Sequence, residues 1–87
     1  MIMDKFWYEQ AWKDYLKWHD SDHRAWMRIN ELIKEIERTP FAGTGRPHPL
    51  KFGRRGYWAR EITQMNRLVY RIEGDLLTIA ECRGHYE

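Results

Sequence analysis

Residues 39–51 read Thr-Pro-Phe-Ala-Gly-Thr-Gly-Arg-Pro-His-Pro-Leu-Lys, and this stretch divides the 87-residue chain into two halves of different character. The residue before a proline is disfavoured in helical geometry, so Thr39-Pro40 ends any preceding helix. Gly43-Thr44-Gly45 is flexible, whereas Pro47-His48-Pro49 is stiff because each proline fixes its own φ. We expect helices before this stretch, strands after it, and a long ordered loop that holds the side chain of His48 in position.

The half before residue 39 carries two helical patterns. Residues 9–19 place apolar side chains at three- and four-residue spacing, namely Ala11, Trp12, Tyr15, Leu16 and Trp18. Asp20-Ser21-Asp22 interrupts the pattern, and Ser21 or Asp22 can cap the next helix. That helix runs to about Arg38 with one apolar face, formed by Trp26, Ile29, Leu32, Ile33 and Ile36. We expect an antiparallel helix hairpin, preceded by a short strand at residues 3–7.

The half after residue 51 alternates in the manner of β-strands. The predicted strands are residues 57–63, 67–73 and 76–83, and Gly74-Asp75 is a hairpin turn between the last two. One face of this antiparallel sheet packs on the helix hairpin, and the other is free to bind, lined by Arg and Glu. The prediction is a single α+β domain over residues 1–87, because so short a chain cannot divide its core.

Basic residues concentrate in the second half, although the net charge is only +2. Between residues 51 and 71 a single acid, Glu61, faces six bases: Lys51, Arg54, Arg55, Arg60, Arg67 and Arg71. Such a cluster favours an anionic partner, and the first five of these bases are candidate RNA contacts.

Composition also restricts the compartment and the cofactors. The single cysteine, Cys82, excludes an intrachain disulfide and a cysteine-based zinc site, and it favours a reducing compartment. Neither a signal peptide nor a membrane span of about 20 apolar residues is present, so we expect a cytoplasmic protein. No metal or other cofactor is expected.

Cleavage of RNA by internal attack of the 2′-OH needs a base, an acid and cations, and no metal. His85 could be the acid and Tyr86 a stacking or orienting group, with His48 or Glu61 as the base. Arg67 and Lys51 could hold the phosphate. From pattern alone the plainer alternatives are favoured: Arg67 as a surface residue, His85-Tyr86 as a loose chain end, and the Trp residues as core.

Several spaced motifs resemble those of a known protein family, and this resemblance favours RNA cleavage over the plainer alternatives. They are Trp12 to Trp18 in the first helix, Ile29 to Lys34 in the second, the stretch 39–51, then Trp58-x-Arg60-x-Ile62, Arg67-Leu68-Val69-Tyr70 and His85-Tyr86. The chain resembles, throughout its length, the YoeB/Txe branch of the RelE/ParE toxin superfamily. The resemblance implies a microbial-ribonuclease-like fold, binding in the A site of the 70S ribosome, and cleavage of the mRNA codon there after release from an antitoxin.

The resemblance also implies roles for individual residues. Arg67 matches the arginine that stabilises the scissile phosphate and Lys51 a supporting phosphate contact. His85 matches the general acid and Tyr86 the tyrosine that orients the substrate. Two positions depart: His48 stands where the family usually has a glutamate base, and Glu61 stands where an arginine is usual. Gly84 also stands where a bulkier residue is common.

The departures allow three interpretations. His48 replaces the carboxylate as base, or Glu61 takes over the role, or the protein is a weakened nuclease that still binds ribosome and antitoxin. We favour the first, because the proline-flanked loop aims position 48 at the site.

The partner implied by the resemblance is a cognate antitoxin of the YefM/Phd type, whose disordered acidic segment folds over the basic site. DNA would be contacted only through this antitoxin, and a homodimer is possible. The rival functions are a module that occupies ribosome or RNA without cutting, and an interaction protein whose aromatic surface receives the antitoxin.

Overall fold

A computed structural model describes residues 2–84, which form a helix hairpin on one five-stranded sheet. The elements in chain order are β1 Asp4–Trp7, α1 Glu9–Ser21, α2 His23–Arg38, β2 His48–Pro49, a 3-10 turn Phe52–Arg54, β3 Trp58–Glu61, β4 Arg67–Glu73 and β5 Leu76–Glu81. The predicted α+β architecture is confirmed. His85 and Tyr86, predicted to be acid and orienting group, lie outside the described residues.

The sheet differs from the predicted antiparallel meander at both edges. Its strand order is β1-β5-β4-β3-β2. β3, β4 and β5 form the meander, but β1 pairs with β5 in parallel. At the other edge His48 pairs with Ala59 and Pro49 with Trp58, so residues predicted to be loop form a fifth strand. The sheet is therefore mixed, and position 48 is held by strand pairing.

The helix hairpin forms as predicted, with Asp22 alone between the helices. The Asp22 carboxylate accepts a 3.2 Å hydrogen bond from the backbone N–H of Ala25 and so caps α2. The Tyr15 hydroxyl donates to Asn30 Oδ1 at 2.7 Å and links the two helices. The main core lies between α2 and the sheet and contains Ile29, Leu32, Ile36, Leu68, Leu77 and Ile79. No helix within residues 2–84 is long and apolar enough to cross a membrane.

The end of β5 is tied to α1 by two buried hydrogen bonds. Trp18 Nε1 donates to the carbonyl oxygen of Cys82 at 2.8 Å, and Cys82 Sγ donates to the carbonyl oxygen of Ala11 at 3.3 Å. Burial raises the pKa of the Cys82 thiol to about 12, so the thiol remains protonated and unreactive. The sole cysteine is thus a structural residue that fixes the path of the C-terminal segment.

A buried arginine organises the junction between the two halves. Arg60 has no exposed surface, and its guanidinium forms an ion pair with Glu35 of α2. The same guanidinium donates to the carbonyl oxygens of residues 39, 42 and 44, at 2.7, 2.9 and 3.2 Å. Tyr70 completes the cluster, since its hydroxyl accepts from Arg60 Nε and donates to the Pro40 carbonyl oxygen. Sheet, helix and loop are joined at this one side chain.

The two glycines of the loop fit this packing. Gly43 has φ +121°, and a Cβ there would lie 2.6 Å from Glu35 Oε1. Gly45 has φ +87°, and a Cβ there would lie 3.1 Å from the Cβ of Arg60. The prediction that this stretch is simply flexible was incomplete, because glycine is needed here for its backbone angles and its lack of a side chain.

We expect Glu35→Gln to lower the free energy of unfolding in a pH-dependent way. Hydrogen bonds from Thr44, through its backbone N–H first, and from Arg60 hold the pKa of Glu35 below its ordinary value of 4.5. The carboxylate therefore stabilises the fold above about pH 4.5, and this contribution is lost as the pH falls further. At pH 7 the loss should be roughly 2 kcal/mol, less than the ~3–5 kcal/mol of fully buried pairs because Glu35 is partly exposed.

Urea denaturation of wild type and variant between pH 3 and 7 tests this. Glu31→Gln, at an exposed position of the same helix, is the matched control and should change stability little. If Glu35→Gln lowered the free energy of unfolding by the same amount at pH 3 and at pH 7, this explanation would be contradicted.

Candidate functional site

Two depressions on the sheet edge form what we call the cleft. The first, of about 360 Å³, is lined by His48, Pro49, Leu50, Lys51, Phe52, Arg54 and Arg67. The second, of about 450 Å³, is lined by Arg46, Pro47, His48, Glu61 and Arg67. His48 and Arg67 belong to both. The fold therefore places four residues that the sequence singled out, His48, Lys51, Glu61 and Arg67, around one concave surface.

The imidazole of His48 is oriented by its own loop. Its Nδ1 lies 2.9 Å from the carbonyl oxygen of Arg46. A carbonyl oxygen can only accept, so Nδ1 carries the hydrogen, and the neutral ring then has an unprotonated Nε2. A histidine held in this tautomer can accept a proton at Nε2, which is what a general base must do.

Arg67 lies at the start of β4, beside Gly84. Its backbone N–H donates to the carbonyl oxygen of Gly84 at 3.1 Å, and Gly84 N–H donates to Asn66 Oδ1 at 2.9 Å. Gly84 is the last described residue before the predicted acid. These two hydrogen bonds hold the chain beside Arg67 at the point where the described residues end.

Glu61, the alternative base, lies opposite Arg67 in the β3–β4 register. Its carboxylate is 3.7 Å from Arg46 Nη1, and its side chain is 41% exposed. This weak pair leaves the carboxylate accessible from the cleft. The structure thus brings both candidate bases to the same cleft.

The remaining cations around the cleft differ in how firmly they are held. Arg54 Nη2 donates to Glu81 Oε2 at 2.8 Å, which orients the guanidinium at the rim. Lys51 is exposed and lines the first depression. Arg55 is exposed but lines neither depression. Phe52 is 92% exposed between these cations and has a left-handed φ of 55°.

The prediction that Arg60 contacts RNA is wrong. Its side chain is fully buried and bonded to Glu35, Tyr70 and three backbone carbonyls. RNA could reach this guanidinium only if the loop detached from the sheet. Arg60 lies on the helix-facing side of β3, and strand alternation alone does not say which face of a sheet is covered.

The sequence reasoning missed three residues of the site. Arg46 contributes both its carbonyl oxygen to His48 and its guanidinium to Glu61. Glu81 holds Arg54, and Asn66 holds Gly84. Arg46 and Asn66 could have been suspected, because Arg46 lies within the stretch 39–51 and Asn66 directly precedes the Arg67-Leu68-Val69-Tyr70 motif. Glu81 could not, since its distance from Arg54 in sequence gives no signal. Within residues 2–84 no three His, Cys, Asp or Glu side chains converge to hold a metal ion.

The chain is similar to known proteins in both sequence and structure. A family model described as "YoeB-like toxin of bacterial type II toxin-antitoxin system" matches residues 7–86. Toxin YoeB of Escherichia coli K12 is 51% identical over 84 residues, which are 97% of this chain and 100% of that protein. Toxin YoeB of Streptomyces coelicolor is 48% identical over 87% of this chain and 90% of its own length.

Solved structures show the same similarity as the sequences. A YoeB/ParE toxin from Agrobacterium tumefaciens superposes with a TM-score of 0.92 at 45% identity, covering 97% of this chain and 100% of that one. A YoeB dimer from Staphylococcus aureus gives a TM-score of 0.93 at 34% identity, covering 99% and 100% of the two chains. The heterotetrameric YoeB-YefM toxin-antitoxin complex from the same organism gives 0.90 at 34% identity, with the same coverage.

Proposed function

The chain belongs to the YoeB-like toxins of bacterial type II toxin-antitoxin systems, and we propose that it is a ribosome-dependent endoribonuclease that cleaves the mRNA codon in the A site. The observation that carries the proposal is the cleft, because both of its depressions are lined by His48, with Nε2 available as an acceptor, and by Arg67. A base next to a phosphate-binding cation is what cleavage by internal attack requires. A nuclease role is consistent with the family, and such a toxin would act in the cytoplasm.

The proposed reaction uses the groups of the cleft in sequence. Nε2 of His48 takes the proton of a ribose 2′-OH, and the oxygen attacks the adjacent phosphorus. Arg67, with Lys51, stabilises the charge that develops on the phosphate oxygens. The bond to the 5′-oxygen breaks, and His85 supplies the proton to that oxygen, with Tyr86 orienting the substrate. The products are a 2′,3′-cyclic phosphate and a 5′-hydroxyl, and no metal takes part.

The assignment of the acid to His85 rests on the resemblance, because the structure describes the chain only as far as Gly84. The hydrogen bonds from Trp18 to Cys82 and from Gly84 to Asn66 direct the preceding backbone towards Arg67. Gly84 itself lies beside that arginine, since its carbonyl oxygen accepts from the Arg67 backbone N–H.

The proposed partners follow from the relatives. The Staphylococcus aureus toxin is seen with YefM, so we propose a cognate antitoxin of the YefM/Phd type for this chain, with DNA contacted only through it. A toxin homodimer is proposed by analogy with the dimer from the same organism. The 70S ribosome and its mRNA complete the proposed assembly.

One observation favours a second candidate function. Glu61 puts a carboxylate into the cleft opposite Arg67, where it opposes the entry of a phosphate. A toxin weakened in this way could occupy the ribosome or an RNA without cutting it.

His85→Ala and Arg67→Ala should each abolish translation-dependent mRNA cleavage. Loss of the general acid should cost on the order of 10² to 10⁴ in rate. The measurement is primer extension on a message translated in a cell-free system, with circular dichroism to check that the fold is retained. Lys13→Gln, on the exposed surface of α1, is the control and should cleave as wild type does.

Cleavage by His85→Ala at the wild-type rate would refute the mechanism. Ribosomes stalled by wild type without any new 5′ end would favour the occluding toxin.

His48→Ala should cost on the order of 10² to 10⁴ in cleavage rate, and Glu61→Ala much less, because His48 is the proposed base. The test is the pH dependence of single-turnover cleavage on programmed ribosomes. The rate should fall towards low pH as the base becomes protonated, and this low-pH limb should be lost from the variant that lacks the base. A limb that persists in His48→Ala and disappears in Glu61→Ala would assign the base to Glu61. Marked acceleration by His48→Glu would show that the natural protein is a compromised nuclease.

A further inference from the structure

A pair of tyrosines bridges the sheet on the side away from the helices. Tyr8 follows β1 and Tyr57 precedes β3, and their hydroxyl oxygens are 2.7 Å apart. Strands β5 and β4 lie between β1 and β3 in the sheet. The hydroxyl pair therefore links two separated parts of the sheet across its outer face. The role proposed above for the cleft does not use these residues.

Two arginines flank the ring of Tyr57. The guanidinium carbon of Arg54 lies 5.9 Å from the ring centroid and that of Arg71 lies 5.5 Å away, both within the range of cation–π attraction. Each guanidinium is also fixed by a carboxylate, since Arg54 pairs with Glu81 and Arg71 with Glu73, both at 2.8 Å. The arginines are thus held in place beside the ring.

The ring of Tyr57 has a rigid base. It packs, with Leu50, on a small second core formed by Ala59, Val69 and Ala80. Hydrogen bonds from Tyr8 first, and then from Arg71, lower the pKa of Tyr57. A ring anchored by packing and by its hydroxyl loses little freedom when a ligand stacks on it.

The surroundings of the tyrosine pair are open and aromatic. Tyr8 is 42% exposed and Phe6 is 54% exposed, with their ring centroids 6.0 Å apart. We call the surface formed by Phe6, Tyr8, Arg54, Tyr57 and Arg71 the tyrosine platform. It is continuous with the cleft, because Arg54 lines the cleft and also flanks Tyr57.

We propose that the tyrosine platform is a second nucleotide-binding subsite, which takes bases of a single-stranded RNA that extends out of the cleft. This subsite proposal depends on the proposed function in one respect, namely that the RNA is the message being cut. Aromatic rings and arginine planes accept any base by stacking, which is how proteins hold single strands without reading their sequence. An acidic peptide fits less well, because Glu73 and Glu81 already neutralise much of the charge of the two arginines.

The test measures binding of RNA oligomers of two lengths. Fluorescein-labelled 2′-O-methyl oligonucleotides of three and six nucleotides are titrated with wild type, Tyr57→Leu and Arg71→Gln, and anisotropy is followed. The three-nucleotide probe fills the cleft alone, so all proteins should bind it within about twofold. The six-nucleotide probe should bind the two variants on the order of tenfold more weakly than wild type, as expected for the loss of one stacked base.

Two control variants separate stacking from general damage. Tyr57→Phe keeps the ring and should bind the six-nucleotide probe within about twofold of wild type, as should Lys13→Gln on the exposed surface of α1. Circular dichroism checks that both Tyr57→Leu and Arg71→Gln keep the fold; the Arg71 side chain is 40% exposed.

Three outcomes would overturn the proposal. They are equal affinity of wild type and variants for the six-nucleotide probe, equal weakening for both lengths, and no measurable binding of the longer probe to wild type. Variants that keep the longer RNA but bind the antitoxin more weakly would identify a protein-docking surface instead. The probes cannot be cleaved by internal attack because the 2′-oxygen is methylated. A length-dependent result therefore stands even if no translation-dependent cleavage is found.

Discussion

The buried guanidinium of Arg60 is the interaction on which the arrangement of the molecule depends. A buried charge is tolerated only where it is paired and fully hydrogen-bonded, and Arg60 meets this condition with Glu35, Tyr70 and three loop carbonyls. The loop between α2 and β2 has few apolar side chains with which to pack. Its backbone carbonyls are held by this cation instead, and Gly43 and Gly45 let the backbone approach closely enough. The candidate cleft is thus built next to a structural arginine.

Two segments reach the cleft by different routes. The loop, fixed by Arg60, enters the sheet as β2 and sets His48 against Ala59. The C-terminal segment, fixed by the buried bonds of Trp18 and Cys82, passes Arg67 at Gly84. The proposed base and the proposed phosphate ligand belong to one sheet, and the backbone at Cys82 is tied to α1. The chemistry proposed for this toxin therefore depends on contacts on both sides of the sheet.

The sequence predicted the elements and the α+β class well, because helical and strand periodicity are local properties. It placed the capping role at Ser21 or Asp22, and the structure assigns it to Asp22. It could not predict β2 or the parallel pairing of β1, since both depend on contacts between distant residues. It also misassigned Arg60, because a buried and an exposed arginine look alike in a strand. The structure brings His48, Lys51, Glu61 and Arg67 to one cleft, and their catalytic roles stay predictions. The supporting residues Arg46 and Glu81 were not predicted.

The central claim is that the Arg60-anchored loop holds His48 ready to accept a proton at Nε2. The most direct test is the pair of ¹⁵N chemical shifts of the His48 ring at neutral pH, in wild type and in Glu35→Gln. The account predicts a single tautomer in wild type, with hydrogen on Nδ1 and none on Nε2, and a shift towards a mixture when Glu35 no longer holds the loop. A wild-type ring with its hydrogen on Nε2, or the same tautomer mixture in both proteins, would contradict it.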